Sequence, residues 1–219
     1  MQVVVVASGE PVDTDAAWLD GADLVIAADG GAAWLERVGR HPDLLVGDLD
    51  SIDPTAIERL ARDGTKVERH PADKDASDTE LAIETARRAG ADSIVLLGAL
   101  GGLRLDHEVA NLLLLADPLL AGLDVRATRG STIARTVRGG RGTLALGGAV
   151  GDLVSLLPVG GDAAGVSTNG LRWPLDRETL AIGRSRGLSN VVDAAPASVS
   201  LESGVLLVIE TAIQGVTSA

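Results

Sequence analysis

The chain has 219 residues, a net charge of −12 and 46% hydrophobic residues, with no Cys, Phe or Tyr and three Trp. That length gives one large domain or two modest ones with ample core. The lack of cysteine excludes disulfides, thiolate nucleophiles and Cys-based zinc sites. The acidic balance argues against nucleic acid and anionic membrane as partners, since both require a basic surface.

In chain order, Val3–Ala7 opens as an apolar run too short for a signal peptide and without a basic lead. No later segment approaches the ~18 uninterrupted apolar residues of a membrane span, so a cytoplasmic protein is expected. Val3–Ala7, Leu24–Ala28, Leu44–Val46, Lys66–Glu68 and Ile94–Leu97 read as strands. Gly31–Val38, Pro54–Arg62, Asp78–Ala89 and Asp106–Ala116 read as helices. Apolar strands alternating with helices predict a parallel sheet covered on both faces, with ligands beyond the carboxyl ends of its strands. Ser77 and Glu80 form a capping box for the third helix, Gly90 ends it, and Asp106 is placed to cap the fourth.

After about residue 124 the texture changes. Short β-like pieces, Thr132–Val137, Thr143–Leu146, Leu153–Leu157, Val199–Leu201 and Val205–Ile209, follow one another between glycine-rich turns. Strands without helices predict a second, all-β domain, a small sandwich or open barrel. The expected class is therefore α/β: a parallel-sheet, Rossmann-like domain over 1–122, then an all-β domain, sandwich or open barrel, over 123–219.

Four acidic stretches stand where strands hand over to helices or loops: Ala28-Asp29-Gly30-Gly31, Gly47-Asp48-Leu49-Asp50-Ser51, Lys74-Asp75-Ala76-Ser77-Asp78 and Gly101-Gly102-Leu103-Arg104-Leu105-Asp106-His107. Carboxylates gathered at one end of a sheet raise one another's pKa unless a cation neutralises them. They therefore read as a hard-metal site, most simply Mg²⁺ holding a polyphosphate. Asp48 and Asp50, one residue apart in an extended segment, point to the same side and can share an ion. Alone they would equally suit a polar turn. Asp78, in the first turn of a helix, has a structural use at the positive end of the dipole. Lys74 is one of two lysines, the other seventeen of the 19 basic residues being arginines, and it sits inside an acidic stretch. Arg104 can grip phosphate bidentately, and Asp106 can reach a metal. Asp29 and Gly30 fit a nucleotide-contacting loop, and Ser51 offers a hydroxyl. There is no Gly-x₄-Gly-Lys-Ser/Thr, so this is not a P-loop enzyme, and no Gly-x-Gly-x-x-Gly follows the first strand.

In order and spacing these stretches resemble the thiamine pyrophosphokinase family. So do Ser155-Leu156-Leu157-Pro158-Val159-Gly160, Thr168-Asn169-Gly170-Leu171-Arg172-Trp173-Pro174-Leu175 and Gly187-Leu188-Ser189-Asn190. The resemblance implies an α/β catalytic domain joined to a β-sandwich, acting as a homodimer with thiamine at the interface. It implies pyrophosphoryl transfer from ATP to the thiamine hydroxyl, giving thiamine diphosphate and AMP. Asp48, Asp50, Asp78 and Asp106 would then surround Mg²⁺ and the triphosphate, with Lys74 and Arg104 facing the phosphates. Thr168, Trp173, Ser189 and Asn190 would lie near thiamine, and Trp173 could stack on its flat cationic ring. One departure stands out: the familiar loop reads Gly-Gly-Arg-x-Asp-His, whereas here Leu103 separates Gly102 from Arg104. Rival readings are a related Mg²⁺-dependent pyrophosphokinase acting on another alcohol such as a hydroxymethylpterin, a Mg²⁺ phosphohydrolase, and a non-catalytic thiamine or nucleotide binder. The phosphohydrolase needs a later lysine, and none follows Lys74.

Overall fold

Segments that are apolar at nearly every position have no polar face to offer water and must be buried on both sides. In the computed structural model, which describes residues 1–213, Val3–Val6, Val25–Ala27 and Leu96–Leu97 are fully buried, as this requires. The chain is a mixed α/β protein that divides into two units, Met1–Leu114 with Gly122–Gly130, and Leu115–Ala121 with Ser131 onward.

The first unit holds strands β1 (Gln2–Val6), β2 (Leu24–Ala28), β3 (Leu44–Gly47), β4 (Lys66–Arg69), β5 (Ser93–Leu97) and β6 (Asp124–Arg129). They pair in parallel in the order β6-β5-β1-β2-β3-β4, with Val3 opposite Leu24 and Ile94 opposite Val3 on the other side. Strand order therefore reverses at β1. The chain runs outward through β2, β3 and β4, then returns to add β5 on the far flank of β1. Such a switch point opens a crevice outside the carboxyl ends of the two central strands.

Helices α1 (Gly31–Arg37), α2 (Pro54–Arg62), α3 (Asp78–Arg88) and α4 (Leu105–Leu114) follow β2, β3, β4 and β5. Local chemistry fixes their starts. Asp53 accepts from Thr55 N at 2.7 Å ahead of Pro54, and Ser77 Oγ accepts from Glu80 N at 3.2 Å. Gly90, at φ +88°, follows the end of α3. The fourth helix differs from the expectation: it begins at Leu105, and the Arg104 carbonyl accepts from Glu108 N at 3.1 Å. Asp106 thus lies within the first turn and is free to pair elsewhere. Gly31 is required for packing, because a Cβ there would stand 2.0 Å from Val6 O.

The second unit holds β7 (Thr132–Arg138), β8 (Thr143–Leu146), β9 (Leu153–Pro158), β10 (Ala163–Asn169), β11 (Glu178–Leu180), β12 (Asn190–Val191), β13 (Ala197–Ser200) and β14 (Val205–Thr211). They form two antiparallel sets, β12-β9-β14-β7 and β11-β10-β13-β8. Val154, Leu156, Leu206 and Val208 from the first set and Val166, Leu180 and Val199 from the second share one aliphatic core. Trp34 is buried and Trp18 partly buried in the core of the first unit, whereas Trp173 is 51% exposed. Two tryptophans are thereby explained by packing and the third is not. Among the described residues, no helix is long and apolar enough to cross a membrane.

Candidate active site

The crevice at the switch point is a cavity of about 550 Å³ within the first unit. The loop after β1 contributes Ser8 and Gly9, the turn after β2 contributes Asp29, and the turn after β3 contributes Asp48. The approach to α3 gives Lys74 and Asp78, and the loop after β5 gives Gly101 to Arg104. Three of the four acidic stretches thus place a carboxylate on its wall, and the fourth places Arg104 there.

Asp29 and Leu49 hold positive φ, at 46° and 64°, so the backbone turns sharply at both strand ends. Gly47 sits between the turns with φ +149°. A Cβ on it would lie 3.1 Å from Asp78 Oδ1 and 3.3 Å from Asp29 Cβ. This absent side chain lets acids from two different loops approach one another. Among the described residues, Asp29, Asp48 and Asp50 offer carboxylate oxygens that all lie within 4.8 Å of one another. Asp29 is 8% exposed; its Oδ2 accepts a short hydrogen bond from Ser51 Oγ, while its buried Oδ1 has no partner.

The electrostatics follow from this crowding. The Asp50 carboxyl is pushed above its ordinary value by the charge of Asp48, then by burial, Asp29 and Asp78. Asp48 moves the other way, held down mainly by Lys74 and then by the Asp50 backbone. Lys74 Nζ lies 3.1 Å from Asp48 Oδ2 and 2.8 Å from Asp78 Oδ1. Burial pulls that ammonium down, but the two carboxylates together outweigh it and hold it above its usual value.

Arg104 and Asp106 form a separate pair. Arg104 Nε and Nη2 donate to the two Asp106 oxygens at 2.9 and 2.6 Å, which lowers the Asp106 carboxyl to about 2. Arg104 and Asp106 are 67% and 63% exposed, and Leu103 is exposed almost completely. Of the four aspartates expected around one ion, Asp48 and Asp50 belong to the close carboxylate group found among the described residues. Asp48 and Asp50 come together with Asp29, Asp78 is joined through Lys74, and Asp106 is engaged by Arg104. Gly30 lies beside Ser8 and Ser51, its Cβ position 3.3 Å from Ser8 Oγ.

Ser8 and Asn111 also line the cavity and were not read from the sequence. Asn111 is 8% exposed on α4 and donates to Ala99 O at 3.0 Å. Its signal was a lone amide in an otherwise apolar helical run.

In the second unit, Asn190 is buried and spends its side chain on backbone. Its Oδ1 accepts from Trp173 N at 3.1 Å and Val191 N at 2.9 Å, while its Nδ2 donates to Trp173 O at 2.7 Å. It thereby fixes the segment that presents the exposed Trp173 indole, over which Arg172 sits 5.9 Å from the ring centroid. Ser189, adjacent at φ +55°, donates its N–H to Ser155 Oγ at 3.1 Å. Thr168 Oγ1 accepts from Leu175 N at 2.9 Å, closing the Thr168–Leu175 loop that carries Trp173.

Residues 16–126 match the family "Thiamin pyrophosphokinase, catalytic domain", and residues 144–206 match "Thiamin pyrophosphokinase, vitamin B1 binding domain". Thiamine pyrophosphokinase 3 of Oryza sativa subsp. japonica is 30% identical over 217 residues, covering 84% of this chain and 76% of its own. Thiamine pyrophosphokinase of Bacillus subtilis (strain 168) is 24% identical over 188 residues, covering 86% and 87%. The crystal structure of a Bacillus subtilis thiamine pyrophosphokinase superposes with a TM-score of 0.86 at 23% identity, over 97% of this chain and 100% of that one, a likeness of fold. The thiamin pyrophosphokinase of Geobacillus thermodenitrificans superposes with a TM-score of 0.81 at 25% identity, over 99% and 100%. By sequence along most of its length and by fold, the chain belongs to the thiamin pyrophosphokinase family.

Proposed function

We propose that the chain transfers a pyrophosphoryl group from ATP to the hydroxyl of thiamine, giving thiamine diphosphate and AMP. The observation that carries this reading is the convergence of Asp29, Asp48, Asp78, Lys74 and Arg104 on one cavity in a chain of this family. Asp29, Asp48 and Asp50 suit a hard divalent ion such as Mg²⁺. They offer only oxygen donors, lie close together, and include one buried oxygen with no protein partner. Bound there, the ion supplies neutralisation of charge on the triphosphate. Asp78 and Asp106, expected beside the ion, each hold the cation that would face the phosphates, Lys74 and Arg104.

In the reaction the thiamine oxygen bonds to the β-phosphorus and its proton passes to solvent water. The bond from the β-phosphorus to the oxygen bridging to the α-phosphate breaks, and AMP departs with that oxygen. Lys74 and Arg104 orient the transferring group, and Ser51, Gly30 and Asp29 line its approach. We assign this work to the Rossmann-like first unit. Thiamine binding goes to the second, read as a β-sandwich: the 1–122 and 123–219 division, with 115–121 counted in the second unit and 122–130 in the first. Thr168, Trp173, Ser189 and Asn190 form the thiamine side, with Trp173 stacking on the cationic ring. Thiamine lies at the interface of a homodimer, for which exclusion chromatography with light scattering should give twice 22.3 kDa.

The direct test incubates the protein with ATP, thiamine and Mg²⁺. The expected products are AMP and thiamine diphosphate in equal amounts, and ADP or free phosphate in their place overturns the reading. Trp173→Ala should raise KM for thiamine about tenfold while kcat changes little, the loss of roughly one stacked cation–π contact. An unchanged KM would remove Trp173 from the thiamine site.

A further inference from the structure

Lys74 occupies an unusual position for a phosphate-binding lysine. Its side chain is 14% exposed, and its ammonium bridges Asp48 and Asp78, themselves 18% and 25% exposed. Asp48 also belongs to the carboxylate group that suits a divalent ion. One carboxylate therefore serves two cations. A divalent ion on Asp48 and an ammonium at 3.1 Å from the same side chain repel each other in a partly desolvated site, where screening is weak.

Building on the proposed metal site, we infer that Lys74 is an internal competitor of the divalent ion, which makes metal binding depend on nucleotide. Metal alone meets a carboxylate already neutralised by Lys74. A metal arriving with a triphosphate brings the anion that the ammonium needs, so Lys74 can give up Asp48 and remain paired. The arrangement of the wall supports this: Lys74, Asp48 and Asp78 all line the cavity, so the ammonium can reach a ligand there while staying on Asp78. Asp78 then acts as its anchor, from the first turn of α3, whose start Ser77 fixes. The role is one of positioning and of ordering the substrates, in addition to any contact with the transferring phosphates.

The experiment measures Mn²⁺ binding by the electron paramagnetic resonance signal of the free ion, with and without a non-hydrolysable ATP analogue. The parent protein, Lys74→Gln, Lys74→Arg and Asp48→Asn are compared. Removing the ammonium should tighten binding of Mn²⁺ alone by about tenfold, the effect of deleting one nearby positive charge. Lys74→Gln should also shrink the gain in Mn²⁺ affinity that the nucleotide brings, whereas Lys74→Arg, which keeps the charge, should stay near the parent on both counts. A merely structural lysine would give the opposite pattern, with Lys74→Gln weakening metal binding or leaving it unchanged, and that result overturns the inference. Asp48→Asn separates the two layers of argument. If it abolishes Mn²⁺ binding while Lys74→Gln is indifferent, the competition is wrong and the metal site stands. If it leaves Mn²⁺ binding intact, the metal site itself is wrong, and the competition with it.

Discussion

Asp50→Asn should cut kcat by about 10²–10³-fold and leave the protein folded, with a melting temperature equal to or above that of the parent. The two halves of this expectation come from the same geometry. Asp50 is exposed, and its backbone hydrogen bond to Asp48, Asp50 N to Asp48 Oδ1 at 3.3 Å, is one that an asparagine keeps. Its carboxylate is surrounded by Asp48, Asp29 and Asp78, which raise its pKa above the ordinary value. The folded state therefore binds that proton more tightly than the unfolded chain. Stability is lost as pH rises from the unfolded pKa of about 3.9 through the higher folded value, and at neutral pH the ionised Asp50 works against folding. Asparagine removes that repulsion. Melting curves in EDTA should show the variant at least as stable as the parent at pH 7, with the difference vanishing near and below pH ~3.9. Full turnover in the AMP assay would show that Asp50 has no part in the chemistry. Lost turnover together with lost structure would show that its part is only structural.

Such crowding is what made the site legible from the sequence. Asp-x-Asp after a strand, an acid before a glycine pair, and a lysine inside an acidic run are each ordinary. Together at the carboxyl ends of a parallel sheet they oblige a cation. The partition among cations was not legible. Nothing in the spacing says that Lys74 reaches both Asp48 and Asp78, because the reach depends on the turn at Gly47 and on how the segment before α3 returns to β3. Nor does it say that Asp106 faces Arg104 across the start of α4 at Leu105. Asp29 reads from the sequence as part of a nucleotide-contacting loop, and the structure makes it the buried member of the carboxylate cluster, with one oxygen satisfied by Ser51 and one left over.

The fold divided in the same way. Strands β1, β2 and β5 announce themselves because burial on both faces leaves only apolar residues. Strand β6 did not, since Asp124, Arg126 and Arg129 break up its apolar positions, although it pairs in parallel with β5 over five residues. Strand β10 was hidden by its composition. Ala163-Ala164-Gly165 has low strand preference, and the register shifts between Ala163 and Val166 where Gly165 takes φ +65°. Strands β11 and β12 are three and two residues long, too short for any periodicity to show.

Glu210→Ala should be among the most damaging single changes in the second unit, costing about 3–5 kcal/mol. Glu210 and Arg135 are 10% and 15% exposed, on the adjacent strands β14 and β7. Glu210 Oε1 accepts from Arg135 Nε at 3.0 Å and Nη2 at 2.6 Å, and Oε2 accepts from Gly147 N at 2.7 Å. The same Arg135 Nη2 donates to Ala145 O at 2.6 Å, tying the end of β8 to the pair. Deleting Glu210 leaves a guanidinium and a backbone N–H facing a largely apolar interior, and that orphaned charge dominates the loss. Replacing both partners, with Arg135→Met and Glu210→Leu, should recover much of it, because no charge is then stranded. Recovery should stop short by roughly 1–2 kcal/mol, since Gly147 N and Ala145 O still lose their partners. Denaturant midpoints on Arg135→Met, Glu210→Leu and the double variant read this as a coupling energy. If Glu210→Ala lies within about 1 kcal/mol of the parent, water reaches the pair and it is not what closes this end of the sheet.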